Sequence, residues 1–414
     1  MTDDKHRHPP SPPHRVLAVL SVLTAAALWG LPLLQLAPNR LVSGQPIYFL
    51  SIIKIDAYSL LANVSISLAA MLFVVFVLSA VISRWSHRTL WLCLWLWALL
   101  ALSAISMPGL LWLASLQASA ALQGDLPLAR VFLGSAFWAA LVLLGFMVNT
   151  TLQQLRARPV QKAGVCTALL VAFGLLLASG ACADLSLMRE YANRADDFVP
   201  LITRHLQIVL LTLAFSLAIG LPLGWAAHAR PAVGRLLLPA LNIVQTIPSI
   251  ALFGLLMAPL ALLATTLPAV GRAGISGVGL APAVIALSLY ALLPIVRGML
   301  TGLQHINPAM LQASHALGLT PRQTLLYVQL PLALPVLLGG VRTATVSSVG
   351  LAAVTALIGA GGLGSLLFEG LFANAQDLVL LGVLPIVVLG VVVDTLFKLL
   401  MGLASRRLQH SRPS

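Results

Sequence analysis

The run Asn307-Pro308-Ala309-Met310-Leu311-Gln312-Ala313-Ser314-His315-Ala316-Leu317-Gly318-Leu319-Thr320-Pro321-Arg322 is the stretch of this chain most clearly spaced for recognition. Asn307 is a good helix N-cap, and Pro308 suits the first helical position. Gly318 can take the left-handed conformation that ends a helix. Thr320-Pro321 repeats the start signal, and a second helix runs towards Leu330-Pro331. The chemistry of such a segment is docking: a short helix lying across one face of the protein. Small residues at Ala309, Ala313 and Ala316 keep part of its surface slim enough to enter a partner's groove. An ordinary amphipathic helix at the membrane interface has the same features, so both readings stand at this point.

A second group of polar residues lies inside apolar runs. Gln245, Thr246 and Ser249 surround Pro248; Tyr290 and Pro294 fall in the next run; Arg342 stands with Thr343, Thr345, Ser347 and Ser348 in the one after. They predict a polar path for a small solute, although hydroxyls in apolar helices also serve helix packing. A charge at Arg342 is expensive in lipid and marks function by default, or else snorkels to an interface. Gly359, Gly361, Gly362 and Gly364 permit a non-helical or re-entrant turn that could act as an outer gate; a plain loop is the other reading. Nothing here is arranged for covalent catalysis. No nucleophile and base pair up, His315 has no ligand partner near it, and Cys93, Cys166 and Cys182 have neither disulfide nor zinc spacing. The G-x-x-x-x-G-K-[ST] nucleotide loop is absent.

These residues must be positioned by membrane helices. Of the 414 residues 59% are hydrophobic and only 8% charged, against about a quarter charged in a soluble domain. The mean hydropathy is +0.99. A soluble enzyme and a disordered chain are excluded, and long apolar runs without alternation exclude a β-barrel. The fold class is therefore an all-α polytopic membrane protein of about ten transmembrane helices. Spans are expected near Val16–Leu36, Ser59–Ile82, Leu90–Leu116, Val131–Val148, Val165–Ala183, Leu206–His228, Leu236–Leu260, Ala281–Leu300, Leu332–Leu357 and Leu378–Leu400. The net charge of +13 comes from short basic clusters between the spans. That is the positive-inside pattern and not a nucleic-acid surface. With the N-terminus inside, most basic residues fall on the cytoplasmic side, so both termini are expected there.

The chain changes character near residue 200. In the first half two spans carry an interior proline, Pro32 and Pro108; in the second half all five do, at Pro222, Pro248, Pro294, Pro335 and Pro385. Proline removes a helical hydrogen bond, and broken helices are common in transporters. The expected organisation is a disordered tail over 1–15, an N-terminal extension over 16–200, a moving core over 201–402 and a basic tail over 403–414.

The docking segment also carries a resemblance. Gln312-Ala313-Ser314-x3-Gly318-x9-Val328-x-Leu330-Pro331 resembles the EAA-x3-G-x9-I-x-L-P loop of permease subunits of binding-protein-dependent ABC importers. Glutamine replaces the family's glutamate, serine its second alanine and valine its isoleucine, while the glycine and Leu-Pro stand. The flanks Val244–Leu252, Leu289–Arg297 and Ile358–Gly364 look like the glycine betaine/choline/carnitine permeases, and the extra N-terminal spans resemble the longer low-affinity glycine betaine type. The resemblance implies that this loop is the coupling helix that docks on the ATPase. It also implies partners: ABC ATPase subunits, a second permease copy or paralogue, and an external solute-binding protein.

ATP and magnesium would sit on the partner ATPase, with no cofactor or metal on this chain. The implied setting is a bacterial inner membrane, with lipid around the spans and no nucleic-acid partner. The expected activity is import of a small zwitterion or cation such as glycine betaine. Because its spans are poor in aromatic rings, the core is expected to act as a conduit, with selection resting on the binding protein. The rival reading is a self-contained secondary transporter or channel driven by an ion gradient. That class calls for acids within the spans, where Asp394 alone is clearly placed.

Overall fold

The computed structural model describes residues 13–39, 44–48, 89–122, 128–272 and 274–410. They fall into two compact units that divide between Ala192 and Asn193. Eight of the described helices are long and apolar enough to cross a membrane, and Val16–Gly30 is a shorter apolar helix. The expected span Ser59–Ile82 and most of the expected tail lie outside the described residues.

The first unit contains α1 (Pro13–Gly30), β1 (Pro32–Ala37), β2 (Gln45–Tyr48), α2 (Thr89–Ala121), β3 (Arg130–Leu133), α3 (Ser135–Gln154), α4 (Pro159–Ala178) and α5 (Ser186–Asn193). Its core joins Leu17 and Leu28 of α1 to Leu33 and Leu34 of β1, Leu110 and Leu113 of α2, and Phe137 and Leu144 of α3. The small sheet has order β2-β1-β3, and both pairings are antiparallel. It corrects two expected spans. Val16–Leu36 is not one helix, because α1 stops at Gly30 and Leu33–Leu36 run as a strand. Proline at 32 holds the residue before it extended and offers no N–H to the helix. Val131–Leu133 likewise form a strand, and the helix begins only at Ser135. An apolar run reports burial but does not by itself fix the period.

The second unit contains α6 (Ala195–Ala229), α7 (Pro231–Thr246), α8 (Ser249–Thr266), α9 (Leu280–Gln304), α10 (Pro308–Ala316), α11 (Pro321–Leu351), α12 (Gly364–Phe372) and α13 (Gln376–His410). The central element is α9. Ala283, Ala286, Leu287, Ala291, Ile295, Val296, Met299 and Leu303 along it are buried against α6, α7, α8 and α11. Close approach is built from small residues. A Cβ on Gly340 of α11 would lie 2.4 Å from the Pro294 carbonyl oxygen, so the two backbones are in contact. On the other side of α9, Gly220 and Gly224 of α6 lie against Ile295 and Met299.

The prolines do not all act alike. Pro222, Pro294, Pro335 and Pro385 lie inside continuous helices. Only Pro248 among the five separates two helices, so the expected span Leu236–Leu260 is in fact α7 and α8 joined at extended Ile247-Pro248, with ψ of 127° and 137°. The last described helix, α13, continues to His410.

Candidate functional site: a polar cavity and a docking loop in the second unit

A cavity of about 790 Å³ opens between the α7–α8 break, α9 and α11. Its size lies in the range usual for small-molecule sites, about 300–1,000 Å³. The break contributes Gln245, Thr246, Ile247, Pro248 and Ser249. From α9 come Tyr290, Pro294, Arg297 and Thr301, a stripe at helical spacing. From α11 come Gly339, Gly340, Thr343, Ser347 and Ser348 among others. Six residues expected on a solute path therefore meet around one space: Gln245, Thr246, Pro248, Ser249, Tyr290 and Pro294.

The break is held by side chains. Proline at 294 has no N–H to give the carbonyl four residues earlier, which belongs to Tyr290. The Gln245 amide nitrogen donates to that carbonyl at 2.9 Å. In return the Tyr290 hydroxyl donates to the carbonyl of Ile247, which sits at the break outside either helix. Two backbone acceptors that helices cannot satisfy are thus satisfied across the cavity wall. Thr246 and Ser348 spend their hydroxyls on the Ile243 and Ala344 carbonyls of their own helices.

Arg342 and Thr345, expected on the path, do not line this cavity. Thr345 is buried and donates to the Val341 carbonyl at 2.8 Å. Arg342 turns towards α13, where it pairs with Asp394, and Lys398 reaches the same carboxylate at 2.6 Å. The charge on α11 is met by an acid on a neighbouring helix, so it neither snorkels free nor faces the polar space. A second cavity, about 450 Å³ between α6 and α9, is lined by Leu211, Phe215, Ile219, Leu280, Val284 and similar residues, and it offers a charged or zwitterionic solute little besides Ser288.

Sequence reading missed Arg297 as a cavity residue. It stands within the run Leu289–Arg297, but its charge reads as one more basic residue at a span end. Its position one turn beyond Pro294 on the Tyr290 stripe was the available signal.

The glycine turn is not part of the cavity lining. Gly359, Gly361 and Gly362 take φ of 78°, 81° and 85°, and the Gly279 N–H donates to the Ile358 carbonyl at 2.7 Å. The turn packs on α6: Arg204 Nε donates to the Ala360 carbonyl at 2.8 Å, and a Cβ on Gly362 would meet buried His205. Gly364 has no room for a side chain, since the Ala353 carbonyl oxygen would lie 1.9 Å from its Cβ.

The docking segment joins two cavity helices. It leaves α9 at Gln304 and enters α11 at Pro321. The Asn307 side chain accepts from the Ala309 N–H at 3.0 Å and caps α10. Gly318 takes φ 76°; its N–H donates to the His315 carbonyl at 2.9 Å and that of Leu319 to Ser314 at 3.2 Å. This paired closure is the Schellman motif, and it needs the left-handed residue. Thr320 and Gln323 form a reciprocal capping box for α11. Thr324–Gln329 is then a π-helical turn, with the Leu330 N–H on the Leu325 carbonyl, and Leu330-Pro331 follow it.

Gln312, Ala313 and His315 are exposed, while Ser314 is buried and donates to the Leu311 carbonyl at 2.7 Å. Leu311 and Leu330 pack on the core that contains Leu303, Ile306 and Ala333. Leu317 and Tyr327 are 80% and 73% exposed, large apolar surface at the loop.

Comparison with known proteins divides the chain in the same region. Residues 216–410 match the family model described as binding-protein-dependent transport system inner membrane component. Residues 13–188 match the model described as ABC transporter permease YehY, N-terminal domain. The osmoprotectant import permease protein OsmW of Salmonella typhimurium is 39% identical over 193 residues, which are 47% of this chain and 85% of that protein. The glycine betaine/carnitine/choline transport system permease protein OpuCD of Bacillus subtilis is 33% identical over 206 residues, 50% of this chain and 81% of its own. A chain of the MetNI methionine ABC transporter in an inward-facing conformation aligns over 50% of this chain and 95% of its own, with 23% identity and a TM-score of 0.45.

Proposed function

This chain belongs to the inner-membrane permease family of binding-protein-dependent ABC transport systems, and we propose that it is the membrane subunit of an ATP-driven importer of osmoprotectants such as glycine betaine. The observation that carries the reading is the placement of α10 between α9 and α11, the two long helices that also line the polar cavity. A partner that pulls on α10 pulls on both cavity walls at once. Leu311 anchors α10 into the core at the base of those helices, so the pull reaches packed backbone and not a slack loop.

In this reading Gln312, Ala313, Ser314, Gly318, Leu330 and Pro331 form the coupling element, which faces the cytoplasm with both chain termini. ATP–Mg binds to the separate ATPase. A second permease copy or paralogue completes the translocation unit, and an external binding protein delivers the solute. The Gly359–Gly364 turn, clamped on α6 by Arg204, serves as the outer gate. Residues 16–200 form an extension appended to the core. The cavity presents scattered hydroxyls, the Gln245 amide and the Arg297 guanidinium around one aromatic ring, Tyr290, a polar lining without a cage of rings, from which solute is released readily.

The test is contact. Ala313→Cys, in a chain whose own cysteines are serine, should crosslink to the ATPase subunit in membranes that contain the complete complex. Failure to crosslink, with Leu210→Cys on a lipid-facing site as the negative reference, would remove the coupling role from α10.

A further inference from the structure

We infer that Arg297 is the carboxylate-binding residue of the cavity, and that it makes the permease itself favour zwitterions bearing a carboxylate over bare quaternary ammonium cations. The inference rests on the importer reading above and narrows its substrate class.

Among the described residues that line the cavity, Arg297 carries the only ionised side chain. One of its five N–H donors goes to the Asn242 side-chain oxygen at 2.8 Å. No other described residue pairs with it, and no acid lines the space around it. The Asn242 contact fixes the guanidinium from the α7 side and leaves further donors for a ligand. A guanidinium presents those donors as a fork that matches a carboxylate.

Arg342, outside the cavity, is paired with the Asp394 carboxylate that it shares with Lys398; Arg297, inside it, has only a neutral amide as partner. A positive charge of this kind attracts the carboxylate of a betaine. It repels a choline-like cation that has no negative end. Nothing in the lining offers that cation compensation beyond the face of Tyr290. The expected pure conduit thus acquires a charge filter two helical turns below the aromatic ring.

The experiment uses the complete complex of permease, ATPase and binding protein in proteoliposomes, with labelled glycine betaine and labelled choline as solutes. Arg297→Gln should lower ATP-dependent glycine betaine uptake about tenfold, the size of one lost charge-assisted hydrogen bond. Arg297→Lys should stay within about threefold of wild type, and the glycine betaine to choline rate ratio should drop in Arg297→Gln and not in Arg297→Lys. Because a ratio does not depend on how much complex folds, partial misassembly does not mask the effect. Asn242→Leu, which frees the guanidinium from its anchor, should move the ratio in the same direction by a smaller factor. An unchanged ratio in Arg297→Gln, or a loss in Arg297→Lys equal to that in Arg297→Gln, overturns the inference and leaves the importer reading intact. A wild-type complex that moves neither solute with ATP overturns both.

Discussion

The side-chain amide of Gln245 donates to the main-chain carbonyl of Tyr290, the acceptor that Pro294 leaves without its helical partner. Tyr290 answers by donating its hydroxyl to Ile247 at the neighbouring break. The two proline-disturbed helices therefore complete one another's backbone.

Removing either donor should loosen the cavity wall. Tyr290→Phe keeps the ring and deletes the hydroxyl, and Gln245→Leu deletes the amide. Each should cost about 1–2 kcal/mol, as expected for a backbone acceptor left unsatisfied, and each should lower the uptake rate. A double mutant should cost less than the sum, since both bonds support one junction. Thermal unfolding of the purified permease and initial uptake rates check this. The order of preference among solutes should survive Tyr290→Phe, because the hydroxyl is committed to the backbone.

Adjacent glycines on α11 make a matched pair. Gly340 abuts the Pro294 carbonyl, whereas Gly339 meets nothing closer than 3.9 Å. Gly340→Ala should destabilise the bundle by roughly 1–3 kcal/mol through overpacking, and Gly339→Ala should be neutral. Equal unfolding temperatures for the two variants would contradict the tight α9–α11 crossing.

How far the sequence reveals these arrangements depends on the kind of signal. The cap at Asn307, the turn at Gly318 and the restart at Thr320-Pro321 are local, and each residue's intrinsic preference agrees with its surroundings. The polar cluster around Pro248 is legible because polar side chains are conspicuous in an apolar run. The fates of Arg297 and Arg342 are not legible. Both are arginines set among apolar residues of long helices, and only the tertiary partners, Asn242 for one and Asp394 for the other, separate a cavity charge from a paired one. The strand at Leu33–Leu36 hides for a related reason: in a run apolar on every side, neither period shows. Glycines four apart, as in Gly220/Gly224, carry a packing signal that hydropathy alone passes over.

The ion cluster on α11 and α13 should matter for folding and not for choice of solute. Arg342→Ala leaves Asp394 with Lys398 alone, and Asp394→Asn leaves two cations without their shared carboxylate. Both should lower the unfolding temperature, Asp394→Asn more, and neither should alter the glycine betaine to choline ratio. A shifted ratio in Arg342→Ala would place that residue on the path after all.

Coupling should be separable from assembly at Gly318. Its φ of 76° is closed to proline, whose ring fixes φ near −65°. Gly318→Pro should reach the membrane in normal amount yet lose co-purification with the ATPase and solute-stimulated ATP hydrolysis. Gly318→Ala, strained by about 1–2 kcal/mol in the left-handed region, should retain a reduced share of both.

As the membrane subunit of an ATP-driven importer, this chain should move solute only together with its ATPase. The direct measurement is uptake of labelled glycine betaine into proteoliposomes with and without the ATPase, under an imposed sodium or proton gradient in each case. Accumulation is expected only when permease, binding protein, ATPase and ATP–Mg are all present. Robust accumulation by the permease alone under an ion gradient would contradict it and establish a secondary transporter instead.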